Sequence, residues 1–349
     1  MVHTLRNKPS LISGRTSSKP KETSLYKAFR DRGRNFIGTA LTIRNEPAEP
    51  KIIDQDFNSV TPENAMKWES TEPSRNNFTF AGGDAVVAFA KKYDQQIHCH
   101  TLVWHSQLPT WVSAGGFDNK TLISIMENHI KNVAGRWKGA CTRWDVVNEA
   151  LNEDGTYRKS VFLDTIGEAY IPIAFRLARK YAKSSKLYYN DYNLEYNGAK
   201  TEGAKRIVKL VQSYGKNLID GVGYQAHLAS EPTRTAPGAV PDQATLEAAL
   251  KATANEGVDV AYTEIDIRMN TPATPEKLAV QATAWERMAR SCLAVKRCEG
   301  MTVWGISDKY SWIPGVFSTE GAALLWDENY QKKPAYAGFL KGIKEGKKN

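Results

Sequence analysis

Thr142-Arg143-Trp144-Asp145-Val146-Val147-Asn148-Glu149 is the stretch on which the reading of the fold turns. Trp144, Val146 and Val147 make a short β-type run, and Asn148 and Glu149 stand at its exit. A second run, Tyr262-Thr263-Glu264-Ile265-Asp266-Ile267, carries another glutamate 115 positions later (149 to 264). The fold must therefore bring together two carboxyl groups that the sequence keeps apart.

Working outward from these two, runs of the same kind recur along the chain. Phe36 to Leu41, Phe57 to Val60, Ile97 to Trp104, Thr142 to Asn148, Lys186 to Tyr192, Gly221 to Leu228, Val260 to Arg268 and Met301 to Ser307 read as buried strands. Helical periodicity alternates with most of them. Leu122, Ile125, Met126, His129, Ile130, Val133 and Trp137 keep a 3.6-residue stripe, and similar patterns run through 162 to 181, 198 to 214, 242 to 255 and 274 to 295. Strand and helix alternating about eight times, with no Pro/Gly/Ser-rich linker between them, predict a single (β/α)8 TIM barrel of the α/β class rather than two doubly wound domains. In such a barrel the chemistry gathers at the C-terminal ends of the strands, and every polar cluster of this sequence falls there.

The length of 349 residues fits one large barrel. Apolar residues at 41% and charged residues at 24% are ordinary for a soluble globular protein, and no segment approaches the ~18 apolar residues of a membrane span. The net charge of +9 raises the question of a nucleic-acid partner, and its location answers it. Residues 1 to 24 carry five Lys/Arg against Glu22, and residues 341 to 349 carry four Lys against Glu345, which leaves about +2 on the body. The excess is a solvated tail effect, so neither nucleic acid nor membrane is expected as a partner.

Residues 1 to 24 are rich in Ser, Thr, Lys, Arg and Pro and lack the apolar core of a secretory signal, so they read as a disordered basic extension. Residues 25 to 343 form the expected domain and 344 to 349 a basic tail. Asn77-Phe78-Thr79 and Asn119-Lys120-Thr121 are glycosylation sequons that matter only in an exported protein, and chance gives such triplets as readily. Four cysteines are too few for a disulfide scaffold. The spacing of Cys292 and Cys298 permits a small closed loop whose geometry the sequence cannot test, while Cys99 and Cys141, on neighbouring strands, read as two buried thiols.

The polar clusters follow the strands in order. After the second comes Thr61-Pro62-Glu63-Asn64-Ala65-Met66-Lys67-Trp68-Glu69, which also reads as a plain helix start. The third ends His98-Cys99-His100-Thr101-Leu102-Val103-Trp104-His105-Ser106-Gln107, the fifth carries Tyr189-Asn190-Asp191-Tyr192-Asn193 and the sixth Gln225-Ala226-His227. His98 and His100, two apart on a strand, share a face and suit zinc, yet such a site needs further His and Asp ligands from later strands. Of the downstream histidines His129 falls on a helix and the fifth strand offers none, so no metal and no cofactor is expected. No Gly-rich phosphate loop follows a strand and no Gly-x-Ser-x-Gly elbow occurs. Nine Trp and fifteen Tyr supply flat amphipathic rings that stack on sugar C–H faces as well as in a core.

With these strings in view, Trp144 to Glu149, Thr263 to Ile267, His100 to Gln107 and Val303-Trp304-Gly305-Ile306-Ser307-Asp308-Lys309-Tyr310-Ser311-Trp312 resemble glycoside hydrolase family 10, the retaining endo-β-1,4-xylanases, and fungal members in particular. The resemblance covers about residues 25 to 340. It implies Glu149 as acid/base and Glu264 as nucleophile, with Asn148 beside the acid/base. It further implies that Glu63, Asn64, Lys67, His100, Trp104 and Gln107 grip the sugar on the non-reducing side, and that Gln225 and His227 support the nucleophile. Tyr192 would lie towards the leaving side, Trp304 and Trp312 would form aromatic walls, and Cys292 and Cys298 would be bridged. A secreted monomer acting on xylan or xylooligosaccharides follows from the same resemblance. A relative specialised for another β-glycoside, such as a saponin sugar chain or a cellooligosaccharide, is the alternative. The chain departs from the family pattern at Cys99, where Gly is usual, in the loop Ile313 to Leu325, and in lacking the signal peptide most members carry.

A retaining enzyme needs its two carboxyls only ~5 to 5.5 Å apart. The charge of Glu264 is then expected to favour a proton on Glu149 for the first step and, once Glu264 is esterified, to release it for the second.

Overall fold

The computed structural model describes residues 24–348. The expected N-terminal extension lies outside the described residues except for Ser24, which is buried and accepts the Lys27 backbone N–H as the cap of helix Leu25–Arg30.

Ten strands are present among the described residues: β1 (Phe36–Leu41), β2 (Ser59–Pro62), β3 (Gln96–Cys99), β4 (Cys141–Asn148), β5 (Lys186–Asp191), β6 (Gly221–Tyr224), β7 (His227–Ala229), β8 (Asp259–Asn270), β9 (Cys298–Val303) and β10 (Glu320–Gly321). Hydrogen bonding runs β1-β2-β3-β4-β5-β6-β8-β9, all parallel, and β9 pairs with β1 to close the ring. β7 continues the line of β6 and pairs with β8, and β10 adds an antiparallel pair to the upper end of β8. The eight-stranded parallel barrel expected from the sequence is therefore the observed fold.

A helix follows each of the eight staves: Ala48–Asp56, Ala81–Lys92, Asn119–Arg136, Tyr170–Tyr181, Ala199–Ser213, Gln243–Ala254, Pro275–Ala294 and Pro334–Glu345. Several begin where a short polar side chain satisfies a free N–H: Asp118 accepts from Thr121, Asp242 from Thr245 and Thr274 from Lys277, the last just before Pro275. Their apolar stripes bury Met126, Ile130, Phe175, Ile207, Leu250 and Trp285 completely against the outer face of the sheet. Helix Pro334–Glu345 lies so close to Pro275–Ala294 that side chains at Gly338 and Gly342 would collide with the carbonyls of Ala282 and Glu286. Inside the barrel, Phe36, Tyr188 and Ala261 form a separate small cluster, and the buried Arg143 guanidinium sits 3.8 Å from the Phe36 ring centroid. At the bottom, Arg34 donates to the carbonyls of Leu293, Val295, Lys296 and Cys298 and so ties the entry of β1 to the Cys292–Cys298 loop.

Four expected strands differ from the observed ones. The run Gly221 to Leu228 is split because Ala226 takes a left-handed φ of 61°. Ile97 to Trp104 is regular only to Cys99; a cis peptide joins His100 to Thr101, and Leu102 and Val103 then donate to the carbonyls of Asp145 and Val146. Phe57 to Val60 and Met301 to Ser307 move to Ser59–Pro62 and Cys298–Val303. Buried loop residues such as Phe57 are as apolar as strand residues, so composition does not mark where pairing stops. The helical pattern 162 to 181 is likewise cut, at Gly167 with φ 81°, into Val161–Ile166 and Tyr170–Tyr181.

Cys99 and Cys141 are not two thiols but a disulfide between β3 and β4, and Cys292 is bridged to Cys298. Cys99 and Cys141 flank a parallel pair in which Ile97 partners Cys141, and this proximity makes the bridge possible.

Candidate active site

β4 delivers Asn148 and then turns sharply outward at Glu149, whose φ of 55° is left-handed and whose N–H donates to the Asn190 carbonyl. The turn takes the Glu149 carboxyl off the sheet and into the mouth of the barrel. There it accepts from the Trp104 indole Nε1 at 2.8 Å and from Gln225 Nε2 at 3.1 Å. Glu264 sits inside β8 and is buried; it accepts from Asn190 Nδ2 at 2.7 Å and from His227 Nε2 at 3.1 Å.

The two carboxyls are joined by one line of hydrogen bonds. Gln225 Nε2 donates both to Glu149 and to Asn148 Oδ1, and Asn190 Nδ2 donates both to Asn148 Oδ1 and to Glu264. Thr263 donates to Asn190 Oδ1 at 2.6 Å, which fixes the amide so that its nitrogen faces the carboxyls. The resemblance gave Gln225 to the nucleophile. The structure puts it on Glu149 and Asn148 instead, because it stands on the stave that ends beside β5 and faces across to β4.

His227 bridges two acids. Its Nδ1 lies 2.8 Å from Asp266 Oδ2 and its Nε2 3.1 Å from Glu264 Oε2. Burial works against a charge on this ring, but Asp266 and Glu264 outweigh it and lift its pKa from 6.5 to about 10. The ring is therefore an imidazolium that donates from both nitrogens. Burial pushes the Glu264 carboxyl up, yet the hydrogen bond from His227 and the charges of His100 and His227 bring it below its ordinary value. Asp266 is held in turn by the Trp312 indole at 2.8 Å.

His98 and His100 take the two oxygens of Asp145, at 2.8 and 2.9 Å, and this buried acid falls to about 2 because the two rings overcome its desolvation. His100 Nδ1 is also 3.9 Å from Glu264.

On one side of the carboxyls Lys67 Nζ donates to Asn64 Oδ1 at 2.9 Å and to Gln107 Oε1 at 2.7 Å, and lies 5.0 Å from the Trp104 ring centroid. Burial lowers its pKa while Glu264, Glu63 and Glu149 pull it back. Glu63 accepts from the Thr42 hydroxyl at 2.5 Å. On the other side Tyr192 accepts from Arg158, whose Nε also donates to the Glu149 carbonyl, and Lys200 Nζ lies 3.3 Å from the Tyr192 ring centroid. Trp304 meets His100 and His227 edge-on, and Trp312 meets His227 with centroids 5.0 Å apart.

One cleft of about 950 Å³ has all of these in its wall: Glu149 and Glu264, Glu63, Asn64, Lys67, His100, Trp104, Gln107, Asn148, Tyr192, Gln225, His227, Trp304 and Trp312. Asn190, Asp266, Asp145 and Arg158 are positioning groups that sequence reasoning did not single out. Asp266 carried a usable signal, since it follows Glu264 by two on a strand and so shares its face; Arg158, in a loop, carried none.

The chain is similar to several proteins already known. The model of glycosyl hydrolase family 10 matches residues 24–342. Endo-1,4-beta-xylanase 2 of Aureobasidium pullulans is 67% identical over 96% of this chain and 93% of its own length, and endo-1,4-beta-xylanase A of Fusarium oxysporum is 57% identical over 92% and 98%. Among solved structures, an endo-1,4-beta-xylanase of Penicillium canescens superposes with a TM-score of 0.88 at 34% identity, covering 93% of this chain and 99% of that one. A family 10 xylanase of Bispora solved with xylobiose gives 0.85 at 35% identity, covering 91% and 99%. With the barrel, its paired carboxyls and a family match running almost from end to end of the described residues, the chain belongs to glycosyl hydrolase family 10.

Proposed function

We propose that the chain is a retaining endo-β-1,4-xylanase that cuts internal β-1,4 bonds of xylan by double displacement, with Glu264 as nucleophile and Glu149 as acid/base. The observation that carries the assignment is the difference between their partners. Glu264 receives a hydrogen bond from a cationic His227 and is held as a carboxylate, ready to attack an anomeric carbon. Glu149 is gripped by two neutral donors and stands nearer the cleft mouth, where a leaving oxygen passes.

In the first half-reaction a Glu264 oxygen forms a bond to the anomeric carbon as the glycosidic C–O bond breaks, and Glu149 gives its proton to the departing sugar oxygen. In the second, Glu149, now a carboxylate, takes a proton from water; the water oxygen bonds to the anomeric carbon and Glu264 leaves as carboxylate. Two inversions give net retention. Asn148 is placed to hydrogen-bond a sugar hydroxyl most strongly in the oxocarbenium-like state. Asn64, Lys67 and Gln107 present a fixed polar edge to the sugar on the non-reducing side, with Glu63 and Trp104 beside them, and Tyr192 receives the leaving chain.

The relatives carry endo-1,4-beta-xylanase names, which favours xylan over the saponin or cellooligosaccharide reading. We further infer a secreted monomer with a catalytic domain over 25–343 and basic tails at either end. Two disulfides suit an oxidising route, and no helix among the described residues is long and apolar enough to cross a membrane.

The decisive experiment pairs Glu149→Ala with azide. The variant should lose xylan hydrolysis, keep activity on aryl xylosides with good leaving groups, and yield a β-azido product when azide is added. An α-azido product would overturn the assignment, as would xylan turnover by Glu264→Ala at the wild-type rate.

A further inference from the structure

β6 and β7 are one stave interrupted by Gln225 and Ala226, and the interruption lies beside a bulge in β8. Tyr224 pairs with Tyr262 but His227 pairs with Asp266, so three steps on one strand span four on the other. β8 also outruns its other neighbour here, with three steps from Tyr262 to Ile265 against two from Met301 to Val303, so the extra residue lies in β8. The turn between β6 and β7 is Ala226, fully buried and left-handed at φ 61°, a conformation that a non-glycine residue keeps only where its surroundings over-determine it.

What over-determines it is Glu195. This residue lies in the short 3-10 turn Leu194–Tyr196 after β5, is completely buried, and accepts the Ala226 N–H on Oε1 at 2.7 Å. On either side, Gln225 N–H donates to the Asp191 carbonyl at 2.9 Å and Asp266 N–H donates to the Ala226 carbonyl at a longer 3.3 Å. The Ala226 N–H is thus satisfied by the Glu195 carboxyl, and without it a buried donor would be orphaned. The residue before the turn reaches Glu149 and the residue after it reaches Glu264.

We propose that Glu195 is a positioning residue for both halves of the reaction: its buried carboxyl fixes the turn at Ala226 that sends Gln225 to Glu149 and His227 to Glu264. Glu195 does not line the cleft and touches no sugar. Its effect on turnover rests on the catalytic pair assigned above, while its effect on the turn does not.

The test compares Glu195→Ala, the isosteric Glu195→Gln, and Glu195→Ala combined with Ala226→Gly. Glu195→Gln keeps an amide oxygen for the Ala226 N–H and should stay within about threefold of wild-type kcat. Glu195→Ala should lose about ten- to a hundredfold in kcat, with KM for xylohexaose changed by less than about threefold because the sugar-gripping set is untouched. Its acid limb in kcat/KM should move to higher pH, since Glu264 loses the cation that keeps it ionised. Glycine at 226 takes the left-handed turn freely, so the double variant should recover part of the loss. The ring N–H resonances of His227, read by NMR without substrate, should be present in wild type and Glu195→Gln and lost in Glu195→Ala, whatever the catalytic roles prove to be. A folded Glu195→Ala with wild-type His227 resonances, kcat and acid limb would overturn the proposal, as would Glu195→Gln being as impaired as Glu195→Ala. Lost resonances with unchanged turnover would leave the turn standing and fault the catalytic assignment instead.

Discussion

Glu149 is held from two sides by neutral N–H donors, the indole of Trp104 and the amide of Gln225, whereas Glu264 takes one of its bonds from an imidazolium that is itself clamped by Asp266. The neutral pair fixes where a carboxyl lies without adding positive charge beside it. The cation fixes both position and ionisation. A retaining hydrolase needs that asymmetry, because one acid must exchange a proton in every half-reaction while the other must arrive unprotonated. Under the proposed mechanism two glutamates of identical chemistry take different roles because different groups donate to them.

Removing the proposed nucleophile tests the comparison most severely: Glu264→Ala should lower kcat on xylan by on the order of 10⁵-fold, and a residual rate near wild type would end it. Next comes His227→Gln, which keeps a donor and removes the cation. A loss of about 10²–10³ in kcat is expected, with the acid limb of kcat/KM moved to higher pH; an unmoved limb would mean the charge on His227 is not what keeps Glu264 ionised. Asn148→Ala should cost about a hundredfold, more in kcat than in KM, since the contact it loses strengthens in the transition state. On the neutral side Gln225→Ala should cost only about tenfold, because Trp104 still holds Glu149.

The smallest effect is on stability against pH. Burial raises Glu195 to about 7 and Asp191 to about 6, so the stability gained by keeping them protonated is full below their ordinary values of 4.5 and 3.8 and is lost as pH rises through those higher ones. The His227 charge, favoured by Asp266 and Glu264 in spite of burial, contributes fully below 6.5 and is lost as pH rises through about 10. Asp145 works the other way, contributing above 3.8 and losing its part as pH falls through about 2. Thermal melts should therefore give a Tm higher at about pH 5 than at about pH 9, by about 5 °C. His227→Gln should flatten the alkaline part of that slope.

The staves and their order were legible because a barrel strand buried on both faces reads as an apolar run, and a helix stripe between runs reads as a 3.6 period. Glu149, Glu264 and the cleft residues were legible from strings at strand exits. What stayed hidden was local backbone. Nothing about an alanine signals a left-handed turn, so the break at Ala226 was invisible, and with it the partner of Gln225. The Cys99–Cys141 bridge was open in the sequence, since two cysteines on neighbouring strands pair only if their Cα atoms come close enough, here 5.7 Å. Asn190 stood inside a quoted string, but its link to both carboxyls depends on β4, β5 and β8 lying next to one another at one height.

The seam that closes the ring joins Phe36 to Gly300, 264 positions later in the chain (36 to 300). During synthesis the first stave must wait, one edge unpaired, until nearly the whole polypeptide has left the ribosome, and so far-flung a contact is slow to form. Production of this enzyme in a foreign host should accordingly be limited less by the finished molecule's resilience than by how well that waiting edge is shielded, and slower translation or added chaperone should raise the soluble yield.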